Sequence, residues 1–330
     1  MMLPISANTE KLLTLSALQG VGTKSLSSLE KLKDISSYSL EELAMVLGLK
    51  DITAKNFLAA TEFASKNVDF ALSSNHSIIS YFDDVYPTTL KVTDDRPAIL
   101  YCAGDVNTLD NKSLAVIGTR EPTLHGQLIA RNITQWFSNR GWNIVSGLAK
   151  GIDSIAHRTT IDCHGKTVAV MAQGLEKIYP AENKRLAQEI IESGGLLISE
   201  YSYGSHTFRN NFVQRDRIQA GLSSGVLMVQ SDLKGGSLHA SRSAINYERY
   251  LIIPNQSKRD IINNEPKIQA NLALMSQDSH LIRSLLKINK HPGDNLLIMK
   301  SSDDYHEIEL KLINSLQRKK HQATSGGFDF

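Results

Sequence analysis

Asn143-Ile-Val-Ser146-Gly147-Leu-Ala-Lys150-Gly151-Ile-Asp153 reads as a short apolar strand running into a glycine-bounded loop and a helix start. The same grammar occurs twice more. Leu114-Ala-Val-Ile-Gly118-Thr119-Arg120 precedes it, and Gly225-Val-Leu-Met-Val-Gln230 follows, leading to Lys234-Gly235-Gly236-Ser237. In a parallel α/β sheet such loops gather along the carboxyl edge of the strands, where ligands bind. Each carries a cation: Arg120, Lys150 or Lys234. Glycine lets backbone N–H groups approach a phosphate, and a following helix start adds partial positive charge. The combination points to an anionic ligand, a nucleotide or a nucleic-acid backbone.

Working outward, apolar runs of four to six residues alternate with amphipathic stretches from residue 113 onward. Strands are expected at 114–118, 143–147, 167–173, 196–200, 226–230 and 250–254. Helices are expected at about 125–140, 152–163, 182–193, 215–223, 238–248 and 266–276. Continuous apolar strands alternating with helices mean a parallel sheet covered on both faces, an α/β fold. Residues 75–110 read as a connector with short strands at 77–80 and 97–101. Residues 10–66 read as short helices. Gly20-Val21-Gly22 lies between two of them, with a weaker copy at Gly48, and resembles half of a helix-hairpin-helix. A small helical bundle with glycine caps is the favoured alternative, because only Lys24 offers a nearby cation. The expected division is 1–75 helical, 76–300 α/β, and 301–330 a short amphipathic helix around Ile308 and Leu312 followed by a flexible tail.

Composition bounds the class. The 330 residues carry a net charge of +2, with 41% hydrophobic and 21% charged residues, ordinary for a globular protein. A near-neutral total neither demands nor excludes nucleic acid, since local patches decide. Two cysteines, Cys102 and Cys163, cannot form a disulfide framework, so a reducing, cytoplasmic setting is expected. No apolar run reaches the roughly 18 residues of a membrane span, and the start lacks the pattern of a secretory signal. Gly165-Lys166-Thr167 imitates a P-loop but precedes a strand and lacks the upstream glycine. Cys163-His164 has no second ligand pair at zinc spacing, so no metal or cofactor is expected.

Two constellations remain. Asp153 and His157 lie four apart, which allows an acid/base dyad; a helix-start carboxylate with a packed histidine is favoured, because no nucleophile is near in sequence. Arg209, Arg215 and Arg217 are interleaved with Tyr201, Tyr203, Phe208 and Phe212. Arginine with aromatics suits single-strand binding through phosphate contacts and base stacking, with Phe208 and Phe212 as the stacking candidates. On a helix, Arg215 and Arg217 point to different sides, so one would face the ligand and one brace the loop. Glu200 is expected to pair with Arg215 or Arg217.

From about 81 to 257 the chain resembles the DprA/Smf family of bacterial DNA-processing proteins. The resemblance rests on motifs in order: Tyr86-Pro87; Gly118-Thr119-Arg120 with Gly126; Ser146-Gly147 through Asp153 and His157; Gly174 with Tyr179-Pro180 and Asn183; Ser199-Glu200; Phe212, Arg215 and Arg217-Ile218; Gly221-Leu222-Ser223; and Gly236-Ser237-Leu238. It implies an extended Rossmann-like domain preceded by a sterile-alpha-motif-like helical domain. It implies a non-enzymatic single-stranded DNA binder that dimerises and loads the RecA recombinase during natural transformation. Carried over by position, Arg120, Lys150, Arg215, Arg217 and Lys234 would contact phosphate. Gly118, Gly147, Gly151 and Gly236 would shape the pocket, and Thr119, Ser146 and Ser237 would join them in binding the DNA phosphates. Departures are Asp216 where the family has asparagine, Val213 for proline, His239-Ala240-Ser241, and Asn255 after Pro254; the family's winged-helix domain is not evident. The alternative is a Rossmann-like small-nucleotide sensor or hydrolase, in a mobile-element or defence setting. Related hydrolases place a glutamate after the glycine loop, whereas here the nearest is Glu248. The ending Gly-Gly-Phe328-Asp329-Phe330 presents aromatics, an acid and a free carboxylate, a shape that a partner's peptide groove can capture.

Overall fold

The computed structural model describes residues 5–276 and 278–325. Nine strands form one sheet: β1 His76–Ser80, β2 Ile99–Gly104, β3 Ser113–Ile117, β4 Asn143–Ser146, β5 Thr167–Met171, β6 Leu196–Ser199, β7 Gly225–Met228, β8 Tyr250–Pro254 and β9 Leu296–Met299. Their order is β1-β2-β6-β5-β4-β3-β7-β8-β9. Pairing is parallel from β6 to β9, and the two pairings at the other edge, β1 with β2 and β2 with β6, are antiparallel.

The central strands are apolar throughout because both faces are covered. Side chains alternate between faces along a strand. Ala115 and Ile117 therefore join one buried cluster with Ile190 and Ile218 of the helices Lys184–Glu192 and Arg209–Leu222. Leu114 and Val116 join the other, with Phe137 and Ala156 of the helices Leu124–Asn139 and Ile152–Asp162. The chain builds outward from β3 through β4, β5 and β6, then returns to lay β7, β8 and β9 on the other flank. That reversal opens a crevice beside the carboxyl end of β3, the standard ligand position in open α/β sheets.

The N-terminal helices Ala7–Ser16, Thr23–Ser27, Leu40–Val46 and Ala54–Ser73 pack on the antiparallel edge. Leu12, Leu13, Leu15 and Leu43 are buried in the same cluster as Tyr81 and Leu100. Thr9 donates to Asp83, and the Tyr81 hydroxyl donates to the Leu26 carbonyl. In the Gly20–Gly22 turn only Val21 packs against the core, while both glycines are exposed.

Three sequence expectations change. The helix expected from 215 begins at Arg209, so the whole basic cluster is helical. A four-residue strand, β9, follows a region read as strandless; being short and only alternately buried, it leaves a faint pattern. The C-terminal helix is not short: it runs Tyr305–Ser325, 21 residues, with Ile308 and Leu312 buried against the sheet domain and Leu310 exposed. Phe328, Asp329 and Phe330 lie outside the described residues. Among the described residues no helix is long and apolar enough to cross a membrane.

Candidate nucleic-acid interface

The crevice at the carboxyl ends of β3, β4 and β7 encloses about 740 Å³. Its floor is the Gly118-Thr119-Arg120 loop, one wall is Lys234 through Ser237, and the opposite wall is the start of Arg209–Leu222. A recess of about 200 Å³ adjoins it, lined by Gly147, Lys150, Tyr179 and Pro180 and sharing Arg120, Phe212 and Arg215 with the main cleft. Phe212 stands edge-to-face with Tyr179, ring centroids 5.4 Å apart, so the two cavities meet at an aromatic corner.

Close packing of the loops explains the glycines. A side chain on Gly147 would put its Cβ 1.4 Å from Arg215 Nη1, so glycine there is what lets the guanidinium lie across the β4 turn. Gly151 has φ +76°, and a Cβ would stand 2.5 Å from the Thr119 carbonyl oxygen, so it brings the β3 and β4 loops into contact. Gly118 abuts Ile152 and Gln230, while Gly236 has open space around its Cα. Ile152 N–H donates to Thr119 O, and Thr119 N–H donates to Gln230 O, which ties the three loops together.

Charge in the cleft is unevenly satisfied. Arg120, Arg209 and Lys234 line it and form no ion pair among the described residues. Arg215 is buried, 5% exposed; its Nη1 donates to Val170 O at 3.0 Å, while its Nε has no hydrogen-bond partner. Lys267, from the turn Pro266–Ile268, also lines the cleft and pairs with the exposed Glu121 at 3.1 Å. Asp153 turns back to accept N–H bonds from Gly147 at 3.1 Å and Ala149 at 3.2 Å. Burial pushes its pKa up, against the pull of Arg215 and those two donors. Asp216 also lines the cleft, and burial raises its pKa to about 7.

The structure sorts the sequence candidates. It brings together Gly118, Thr119, Arg120, Arg215, Lys234, Gly236, Ser237 and Phe212 around one cleft, with Gly147 and Lys150 in the recess beside it. Four others fall elsewhere. Arg217 lies on the other side of its helix, pairs with half-buried Glu200 at 2.5 Å, and lines neither cavity; of the two arginines it is the brace. Ser146 is buried and donates to Val116 O at 2.7 Å, holding β4 to β3. Gly151 acts behind the cleft, and Phe208 is 66% exposed outside it. Lys150 reaches outward to Glu182 at 2.6 Å, an exposed pair worth little. His157 is buried, its Nδ1 2.7 Å from the Thr167 hydroxyl, and burial lowers its pKa to about 3, so it is a neutral packing residue.

Sequence reasoning missed Lys267 and Tyr179 as cleft residues and placed Arg209 in the basic cluster without assigning it a phosphate contact. Lys267 had no signal, since a turn after β8 reaches the cleft only through tertiary folding. Arg209 becomes legible once its helix is extended by two turns.

The architecture is that of a Rossmann-like α/β protein with a cleft lined by cations at the point where strand order reverses. The family model for DNA recombination-mediator protein A matches residues 77–289, and the chain belongs to that family. Protein Smf of Escherichia coli is 35% identical over 210 residues, covering 62% of this chain and 56% of that protein. DNA processing protein DprA of Bacillus subtilis is 38% identical over 165 residues, covering 50% and 55%. The chain thus spans little more than half the length of these curated relatives. Among solved structures, DNA processing protein A of Streptococcus pneumoniae superposes with a TM-score of 0.64 at 27% identity, over 84% of this chain and 99% of that one. DNA processing protein A of Helicobacter pylori, described for its single-stranded DNA binding mode, superposes at 0.54 with 30% identity, over 64% and 96%.

Proposed function

We propose that this chain binds single-stranded DNA without acting on it chemically, as a mediator in DNA processing and recombination. The observation that carries the reading is the set of cations without ion pairs, Arg120, Arg209 and Lys234, converging on one cleft built from three glycine loops. A strand would lay its phosphates against these side chains and the loop N–H groups, with a base against Phe212 and Tyr179 in the recess. Stacking of that kind is worth roughly 1–3 kcal/mol per base. The family relationship and the single-strand binding described for the Helicobacter pylori protein support the same reading. A hydrolase reading is less well supported: the helix Ser237–Asn246 after the third loop carries no acid, and Asp153 is tied to backbone donors.

Self-association and hand-over to a RecA-type recombinase complete the proposal. Leu124 and Leu128 are exposed on one helix, and Ile262 is 78% exposed on the helix Lys258–Ile262. The Thr123–Asp260 hydrogen bond, 3.0 Å, brings these two helix starts together, and the apolar residues suit a partner surface.

Fluorescence anisotropy of a labelled single strand across a salt series tests the reading. Three to four phosphate contacts predict a slope of about −2 to −3 in log affinity against log salt. Arg120→Ala is expected to weaken binding about tenfold or more and to reduce the slope by about 0.7. A salt-independent affinity, or a variant that binds like the wild type, refutes the cleft as the site.

A further inference from the structure

Asp216 is a carboxylate on the helix wall of the cleft, close to its cations. It precedes Arg217 on the helix Arg209–Leu222, its side chain 15% exposed. Three other acids border the cleft, and each has a partner outside the Asp216 helix. Asp153 accepts two backbone N–H bonds, Asp232 accepts the Lys234 N–H at 2.9 Å, and Glu121 pairs with Lys267. Asp216 has only the Gln219 amide, Nε2 to Oδ1 at 2.9 Å, and the edge of Arg215, Nε at 3.3 Å in a geometry that leaves that N–H without a hydrogen bond.

The same amide marks a second, neutral state. Gln219 is buried and its Oε1 has no partner. Side-chain amides present a donor and an acceptor that exchange by rotation about the last torsion. A protonated Asp216 would donate to that oxygen and satisfy it, whereas the charged form leaves it orphaned. The site therefore holds a ready acceptor for the proton that an incoming anion would favour.

Resting on the proposed anion-binding role of the cleft, we propose that an anion enters together with a proton taken up at the Asp216 carboxylate, so that binding tightens as the solution is acidified. The charged groups facing Asp216 set the direction. Arg215 on its own helix and Arg120 after β3 favour the charged form, while Asp153 at the start of Ile152–Asp162 opposes it. Lys234 and Asp232 come from the loop after β7, and His239 from the helix Ser237–Asn246. The strands β3, β4, β5 and β7 beneath the helix carry no titratable side chain. The short helix Thr88–Lys91 meets it at the far end, near Gly221 and Leu222. Burial already makes the free cleft's Asp216 titrate near 7, and a phosphate beside it raises that value further. Above pH 7 each bound anion then brings up to one proton, and affinity falls by up to about tenfold per pH unit. Below pH 7 the carboxyl is already neutral and the curve flattens. His239 is pushed the other way, below its ordinary value, by burial and by Arg242 and Lys287, so its charging belongs to more acid solution.

The experiment measures affinity for a short labelled oligothymidylate and for inorganic sulfate, neither of which titrates from pH 6 to 8.5, at fixed ionic strength. The proteins are wild type, Asp216→Asn and His239→Gln, with thermal melts confirming that each is folded. Calorimetry in two buffers of different ionisation enthalpy reads proton uptake directly. The expected result is a pH slope above 7 and proton uptake in wild type and His239→Gln. Asp216→Asn is expected to be flat across the range and as tight at pH 8 as wild type is at pH 6. Equal slopes in wild type and Asp216→Asn, or no proton uptake in wild type, overturn the inference while leaving the binding role intact. A wild type that binds neither probe at any pH overturns both.

Discussion

The two edges of the same sheet treat cationic side chains in opposite ways. At the amino edge, Lys112 precedes β3, and Arg140 and Trp142 precede β4. All three converge on Glu309 of the C-terminal helix: Arg140 Nη2 at 2.6 Å, Trp142 Nε1 at 2.9 Å and Lys112 Nζ at 3.8 Å. At the carboxyl edge Arg120, Arg209 and Lys234 have no such counterpart, and the carboxylates that could serve are held elsewhere or set apart. A protein that needs a cation only for its fold supplies the anion, as it does with Glu309. Cations gathered in a cleft without ion pairs of their own leave that charge to be matched from outside. The decoy Lys166 also lies at the amino edge, where its Nζ donates to the neutral Ser193 carbonyl rather than facing a cleft.

The largest effect that separates the two edges is expected from Gly147→Ala. The added methyl would fall 1.4 Å from Arg215 Nη1, so the guanidinium must leave the β4 turn or the loop must open. Overpacking of this kind costs about 1–3 kcal/mol of stability. Loss of one charged contact to the ligand costs about 1.5–3 kcal/mol more in binding, roughly ten- to hundredfold. Single-strand affinity measured beside a thermal melt checks this. A variant that melts lower yet binds normally would show that Arg215 contributes to folding and not to the ligand.

At the other edge, Glu309→Gln is expected to do the reverse. The carboxylate is 5% exposed, and an amide keeps an acceptor for Trp142 while losing the charge that Arg140 meets. A loss of about 1–3 kcal/mol in unfolding free energy is expected, with single-strand affinity and its salt slope unchanged. Denaturant unfolding in parallel with anisotropy decides it. A drop in affinity at intact fold would mean that the two edges are coupled and the comparison fails.

How far these features can be read from the chain follows the same division. The central strands were legible because burial on both faces leaves uninterrupted apolar runs such as Leu114-Ala-Val-Ile. The loop glycines were legible because close approach of backbone tolerates nothing larger, as Gly147 and Gly151 show. β9 was not: four residues at an edge, buried only alternately, carry too little pattern to stand out. The extent of the C-terminal helix was hidden because Glu309, a charged residue, is one of its anchors, and a buried acid looks like a solvent-facing one until its partners are known. In the site, periodicity said that Arg215 and Arg217 diverge, yet only the fold tells which one meets the cleft. Lys267 was illegible for a related reason: it reaches the cleft from a turn remote in sequence.

The smallest expected effect sharpens that last distinction. Arg217 is paired with Glu200 at 2.5 Å, both side chains 12% exposed, and stands 3.8 Å from Asp95. Burial raises the Glu200 pKa and Arg217 opposes the rise, so the pair holds a charge in place beneath the helix. Removing Arg217 outright would strand a buried carboxylate at about 3–5 kcal/mol and confuse folding with binding. Arg217→Lys keeps the charge at the cost of guanidinium geometry, so a modest loss of stability is expected. The salt slope for single strands should stay at the wild-type value, because no phosphate contact has been removed. Lys234→Ala, measured in the same series, should reduce the slope by about 0.7. If Arg217→Lys lowered the slope as Lys234→Ala does, Arg217 would reach the strand after all, and the helix would present both arginines to the ligand rather than one to each side.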